Sequence, residues 1–127
     1  MKIYGIGVDI VNINRIQISL KRDNFLKRIF SKSEITYCNK RKNTFGCLAK
    51  RFAAKEAFSK ALGLGIAKGV SFKEIVVQND LLGKPSIKLT GKTKKTVNKV
   101  LKKKKFNIYL SLTDDKPFAV ANVIISL

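Results

Sequence analysis

Two carboxylates and one lysine stand out in this chain for their settings. Asp9 follows Gly5 and Gly7 at two-residue spacing, so in a strand these three and Val11 share one face, and Ile6, Val8 and Ile10 the other. A carboxylate on a face cleared of bulk by glycines can meet a ligand or another backbone at close range. Its plainer use is to cap the next helix, a role Asn12 or Asn14 could also fill. Glu56 lies within the run from Arg51 to Gly63. At 100° per residue, Phe45, Ala49, Phe52 and Ala53 form an apolar arc with Glu56 at its centre and Lys60 one turn further along. A carboxylate there is desolvated and needs a cation, a donor or a proton. The spacing fits a Glu56–Lys60 ion pair at i,i+4 as well as it fits a metal or catalytic carboxylate whose partner lies elsewhere. Of the 8 acids, Asp9 and Glu56 have the semi-buried, ligand-friendly settings. Two hard carboxylates without histidine suggest Mg²⁺, which takes one or two carboxylates and completes its shell with water and phosphate oxygens.

The elements that must position these residues follow from periodicity. Residues 2–11 read as a strand and 13–30 as one or two helices, with Ile13, Ile16, Leu20, Leu26 and Ile29 as core candidates. Ser31 or Ser33 caps a short helix, and 39–43 is a basic turn. The helix carrying Glu56 runs from about Phe45 to the glycines at Gly63 and Gly65. The loop from Gly63 to Gly69, with Lys68, could lie against a phosphate but matches no Walker A or dinucleotide pattern. Residues 72–79 and 86–89 read as strands around an Asp80–Pro85 turn. A helix is predicted from Thr90 to about Lys103, with Val97, Val100 and Leu101 inward. Residues 106–112 and 117–126 form a hairpin with Asp114 and Asp115 at its tip as turn residues. The expected architecture is a compact α+β domain with a small, mainly antiparallel sheet packed against helices.

Composition narrows the chemistry. The chain of 127 residues has the length of one domain and 45% apolar residues, enough for a core of its own. With no histidine, neither a Ser-His-Asp triad nor a His-ligated zinc site can be built. Cys38 and Cys47 form no CxxC pair and read as reduced, structural cysteines of a cytoplasmic protein. The apolar N-terminus, interrupted by Gly5, Gly7 and Asp9, is neither a signal peptide nor a membrane span. A net charge of +19 attracts polyanions, although the Lys-, Ile- and Asn-rich composition points to a coding bias that inflates lysine. Lysines crowd the stretch from Lys92 to Lys105, which has no acid. Without interleaved aromatics it reads as a solvated helix face before a nucleic-acid surface.

Three motifs, Gly5-Ile-Gly-Val-Asp9-Ile-Val, Lys50-Arg51-Phe-Ala-Ala-Lys-Glu56-Ala-Phe-Ser-Lys60-Ala and the turn Gly83-Lys84-Pro85, resemble those of the holo-[acyl-carrier-protein] synthases. These are small 4′-phosphopantetheinyl transferases. The C-terminal hairpin from Ser111 to Ala121 fits the family's ending, so the likeness runs in order along nearly the whole chain. It implies one phosphopantetheinyl transferase domain over residues 1–127, assembled as a homotrimer with active sites in the clefts between subunits. It implies transfer of 4′-phosphopantetheine from coenzyme A to a serine of apo-acyl carrier protein, releasing adenosine 3′,5′-bisphosphate. By the same resemblance Asp9 and Glu56 bind Mg²⁺, Lys60 lies near the coenzyme A phosphates, and Gly83, Lys84 and Pro85 lie near the nucleotide. Arg15, and more loosely Arg22 and Arg28, dock the acidic carrier. One departure stands out: Thr113-Asp114-Asp115 replaces the Ser-His-Asp or Ser-His-Glu of many members, which excludes any mechanism through that histidine.

On this reading the metal templates an in-line attack while Lys60 and Arg51 stabilise charge on the phosphates. Glu56, directly or through a metal-bound water it orients, takes the serine proton. Two rivals remain. A small basic RNA- or ribosome-binding protein accounts for the charge but for neither Asp9 nor Glu56. An inactive carrier-protein-binding relative accounts for the altered hairpin but not for both intact carboxylates.

Overall fold

The computed structural model describes residues 1–65, 68–103 and 105–127. Its organising element is the helix α4 (Thr44–Leu62), whose first turn is capped by the Asn43 side chain accepting from the Gly46 amide at 3.0 Å. Gly63, at φ 83°, ends it in the left-handed conformation that glycine adopts without strain. The helix is buried almost all round. Ala53, Ala54, Ala57, Phe58, Ala61 and Leu62 belong to the main core, where small side chains let neighbouring backbones come close.

Strand β1 (Ile3–Asn12) exploits that closeness. A Cβ at Gly5 would stand 2.0 Å from the Ala61 carbonyl oxygen, and one at Gly7 would stand 2.0 Å from that of Ala57. The glycines therefore mark an approach of backbone to backbone, and the face they share with Asp9 lies on α4. β1 pairs antiparallel with β5 (Phe118–Ser126), which pairs antiparallel with β4 (Asn107–Asp115), giving the order β1-β5-β4. A second sheet joins β2 (Ile75–Asn79) to β3 (Pro85–Leu89), so among the described residues the single sheet expected is two, both antiparallel. Between β1 and α4 the chain forms α1 (Ile13–Ser19), α2 (Phe25–Ile29) and α3 (Lys32–Asn39). Asn12 caps α1, so Asp9 is free of the capping role, and Ser31 with Glu34 closes a capping box on α3. The α+β fold expected is the fold observed.

Several local expectations change. The segment Phe72–Glu74 is a 3-10 turn, and β2 begins only at Ile75. Helix α5 (Gly91–Leu101) stops before Lys102, which takes a positive φ of 54°. Its N-terminus receives the Glu74 carboxylate, which accepts from the Lys92 and Thr93 amides and the Thr93 hydroxyl. The Thr93 hydroxyl bond, the largest of these effects, holds the Glu74 carboxyl below the usual range. Asp114 and Asp115 are strand residues opposite Ala119 and Phe118; the turn is made by Lys116 and Pro117. Cys38 and Cys47 are joined in a disulfide, contrary to the reduced state expected. The basic turn folds the end of α3 back against the start of α4 and brings their Cα atoms to 5.5 Å, within bonding reach. Ile66, Ala67 and Lys104, parts of the glycine-rich loop and of the lysine run, lie outside the described residues. Among the described residues no helix is long and apolar enough to cross a membrane.

Candidate functional site

Crossing β1 over α4 brings together Asp9, Glu56 and Lys60. Lys60 Nζ donates to Asp9 Oδ1 at 3.0 Å and to the Val8 carbonyl at 3.0 Å. The i,i+4 pair between Glu56 and Lys60 is therefore not the one formed. A strand backbone this close to the helix offers the ammonium two acceptors at once. Only 14% of the Asp9 side chain is exposed, against 55% for Lys60. Glu56 is half-buried and has no ion pair among the described residues. Burial first, and the Asp9 charge second, raise its carboxyl above the ordinary range, while Lys60 pulls the other way. A buried carboxylate that a neighbouring carboxylate makes costlier to ionise is what a hard cation relieves. Among the described residues no three acids or thiols gather, so the protein offers two carboxylates. That donor set fits Mg²⁺, which fills its remaining positions with water and phosphate oxygens.

About 7.5 Å of helix rise before Glu56, Arg51 enters a second setting. It lines a cavity of about 390 Å³ with Arg41, Lys42, Lys50, Asn79 and Gly83. Its guanidinium lies over the Tyr37 ring at 4.4 Å, Nη2 donates to Asn79 Oδ1 at 2.5 Å, and Nη1 points at Cys47 Sγ at 3.6 Å. Nε is buried with no acceptor among the described residues. Desolvation lowers the Arg51 pKa, and Glu34 only partly opposes this, so the cation is under-compensated and would gain from an anion. Asn79 also donates to the Gly83 carbonyl at 3.0 Å, tying Arg51 to the β2–β3 turn. Gly83 thus reaches the cavity, whereas Lys84 is exposed and neither it nor Pro85 lines the wall. Asp114 does line it, 3.7 Å from Lys50, as an acid already partnered by a cation.

Arg15 on α1, Arg22 in the α1–α2 connection and Arg28 on α2 are all exposed and form no ion pair among the described residues. The most buried acid is none of those singled out from sequence. Glu34 is fully buried, taking Lys55 Nζ at 2.8 Å and the Val77 amide at 3.0 Å. Lys55 also donates to the Phe72 and Ile75 carbonyls, and burial lowers its pKa to about 8. The pair clamps α3, α4 and β2 together, so it sets where Asn79 and Gly83 meet Arg51. Only the capping-box spacing of Ser31 and Glu34 hinted at it.

The sequence matches the family model of the 4′-phosphopantetheinyl transferase superfamily over residues 5–121. It is 54% identical over 125 residues to the holo-[acyl-carrier-protein] synthase of Pelagibacter ubique, covering 98% of each chain. The fold superposes on the Neisseria meningitidis holo-[acyl-carrier-protein] synthase with a TM-score of 0.87 at 36% identity, covering 98% of this chain and 99% of that one. It also superposes on the Bacillus anthracis enzyme, solved in complex with CoA (3′,5′-ADP), with a TM-score of 0.80 at 38% identity, covering 99% and 98%. With a family match over most of its length and full-length likeness in both sequence and fold, the chain belongs to the 4′-phosphopantetheinyl transferase superfamily.

Proposed function

We propose that residues 1–127 form one transferase domain that moves 4′-phosphopantetheine from coenzyme A to a serine hydroxyl of an apo-acyl carrier protein. Adenosine 3′,5′-bisphosphate leaves, and the reaction serves fatty acid synthesis in the cytoplasm. The observation that carries this reading is the meeting of Asp9, Glu56 and Lys60 where β1 crosses α4. Asp9 and Glu56 would hold Mg²⁺, which supplies charge neutralisation at the pyrophosphate and a template for in-line displacement. Lys60, poised on Asp9, can turn its ammonium to the phosphate oxygens as negative charge builds on them. Glu56, its carboxyl raised by burial, accepts the serine proton directly or by orienting a water. Arg51 and the basic wall around it seat the phosphates of the nucleotide end, with Gly83 allowing close approach and Lys84 and Pro85 shaping the turn behind it. The Asp114 carboxylate, held by Lys50, replaces no histidine function in this scheme.

The carrier protein is acidic in this chemistry and would be steered by Arg15, Arg22 and Arg28. The assembly is a homotrimer. On the outer face of β1, Ile6, Val8 and Ile10 are 67%, 59% and 61% exposed, an apolar row that other copies of the chain would cover.

The direct experiment mixes the chain with apo-carrier protein, coenzyme A and Mg²⁺ and weighs the carrier. A gain of one phosphopantetheine that a chelator, Asp9→Ala or Glu56→Gln abolishes is the expected result. Full activity in either variant, or RNA binding with steep salt dependence and no coenzyme A binding, would overturn the assignment. Light scattering on the purified chain tests the trimer.

A further inference from the structure

The disulfide sits in the wall of the basic cavity. Cys47 lines it, and its Sγ is the nearest partner of Arg51 Nη1, at 3.6 Å. Cys38 closes α3 just before the turn that carries Arg41, Lys42 and Asn43, three further lining residues, and Cys47 opens α4 just after it. The cross-link therefore fixes both ends of the segment that supplies much of the cavity's positive charge. In the bonded state the sulfur facing Arg51 is neutral and a weak acceptor, which leaves the guanidinium's charge for a ligand. In the dithiol state, the same sulfur faces Arg51 with Arg41, Lys42 and Lys50 around it, a setting that favours the thiolate. That thiolate would occupy Arg51 in place of a phosphate.

We propose that Cys38 and Cys47 form a reversible thiol–disulfide site that sets the affinity of the basic cavity for phosphorylated ligands, the disulfide form binding and the dithiol form weakened. Chain positions and side-chain contacts carry this, and it rests on the reading of the cavity as the nucleotide seat. The co-reactant is a low-molecular-weight disulfide, RSSR. The Cys47 thiolate attacks one of its sulfurs and releases one RS⁻. Cys38, as thiolate, then attacks Cys47 Sγ in the mixed disulfide, forms the Cys38–Cys47 bond and releases the second RS⁻. The two protein sulfurs are oxidised, RSSR is reduced, and the two thiol protons end on two RSH. Cytosolic disulfides of mesophilic proteins are characteristically transient or redox-sensing, which suits a bond placed in a substrate cavity.

The test equilibrates the purified full chain in oxidised or reduced glutathione and counts thiols by maleimide labelling and intact mass. Adenosine 3′,5′-bisphosphate binding is then measured by calorimetry in each form. Two labels under reduction and none under oxidation are expected, with affinity about tenfold tighter in the oxidised form. Cys38→Ser, which retains the Cys47 thiol, should bind weakly under both conditions, and Cys47→Ser should lose the redox response. Two labels under oxidising glutathione, or affinities within about twofold in both forms, would overturn the proposal while leaving the cavity's role intact. No binding in either form would overturn both. The wild-type comparison stands even where a variant folds poorly.

Discussion

Lys60 and Asp9, 51 residues apart, are joined at 3.0 Å, while Glu56, one turn back on the same helix, is left without an ion pair among the described residues. The lysine therefore holds the very carboxylate that the proposed cation needs. A cation bound at Asp9 would compete with it, and an ammonium released in that competition would be free to meet the phosphates.

Lys60→Met should separate these two roles. Removing the competitor for Asp9 should tighten Mn²⁺ binding about tenfold, as read by electron paramagnetic resonance. Losing the cation should lower turnover about 100-fold. If metal affinity stays the same or weakens, Lys60 does not compete for Asp9.

Gly7→Ala should be costly far beyond a normal glycine substitution, because the new methyl would stand 2.0 Å from the Ala57 carbonyl oxygen. The strand must lift from α4, at about 3 kcal/mol by denaturant unfolding, and Asp9 lifts with it. Unchanged stability together with unchanged activity would mean that the close crossing does not position the site.

The buried pair Lys55–Glu34 gives a pH signature. Folded Lys55 has a pKa of about 8 against the 10.5 of an ordinary lysine, so between these values the unfolded chain binds the extra proton. Raising pH through that window should therefore stabilise the folded state, by about 3 kcal/mol at most, relative to Glu34→Gln/Lys55→Met, where neither group titrates. Thermal unfolding of both proteins from pH 7.5 to 10.5 reads the difference, in the same buffers as references. Lys55→Met alone should lose about 3–5 kcal/mol, because it strands a buried carboxylate.

Arg15→Glu should raise KM for the carrier protein about tenfold at low salt and much less at high salt, with kcat nearly unchanged. An unchanged KM in carrier-protein titrations would place docking away from α1.

The strand and helix faces that bring Asp9 and Glu56 together were legible, because period-two and period-3.6 patterns act locally and both residues sit inside strong ones. Lys60's choice of Asp9 was not, since it depends on how closely a glycine-bearing strand lies on an alanine-rich helix. The Glu34–Lys55 clamp was hidden for a related reason: a capping box shows one use of a carboxylate, and its second partner arrives from α4, 21 residues away. The cysteine bond was misread because spacing in sequence says nothing of how a basic turn folds two helix ends together. Arg51 was legible as a basic residue, but its stacking on Tyr37 and its tether through Asn79 are set by tertiary packing.

Glu74 carries one more consequence. By filling the amides at the start of α5, it closes the one place where that lysine-bearing helix could grip an anion with directed backbone groups. Any polyanion drawn to Lys92, Lys95 or Lys99 meets only long, freely turning side chains. Such contact is loose, indifferent to sequence and readily stripped by salt, so this helix face suits solvent better than it suits a nucleic acid.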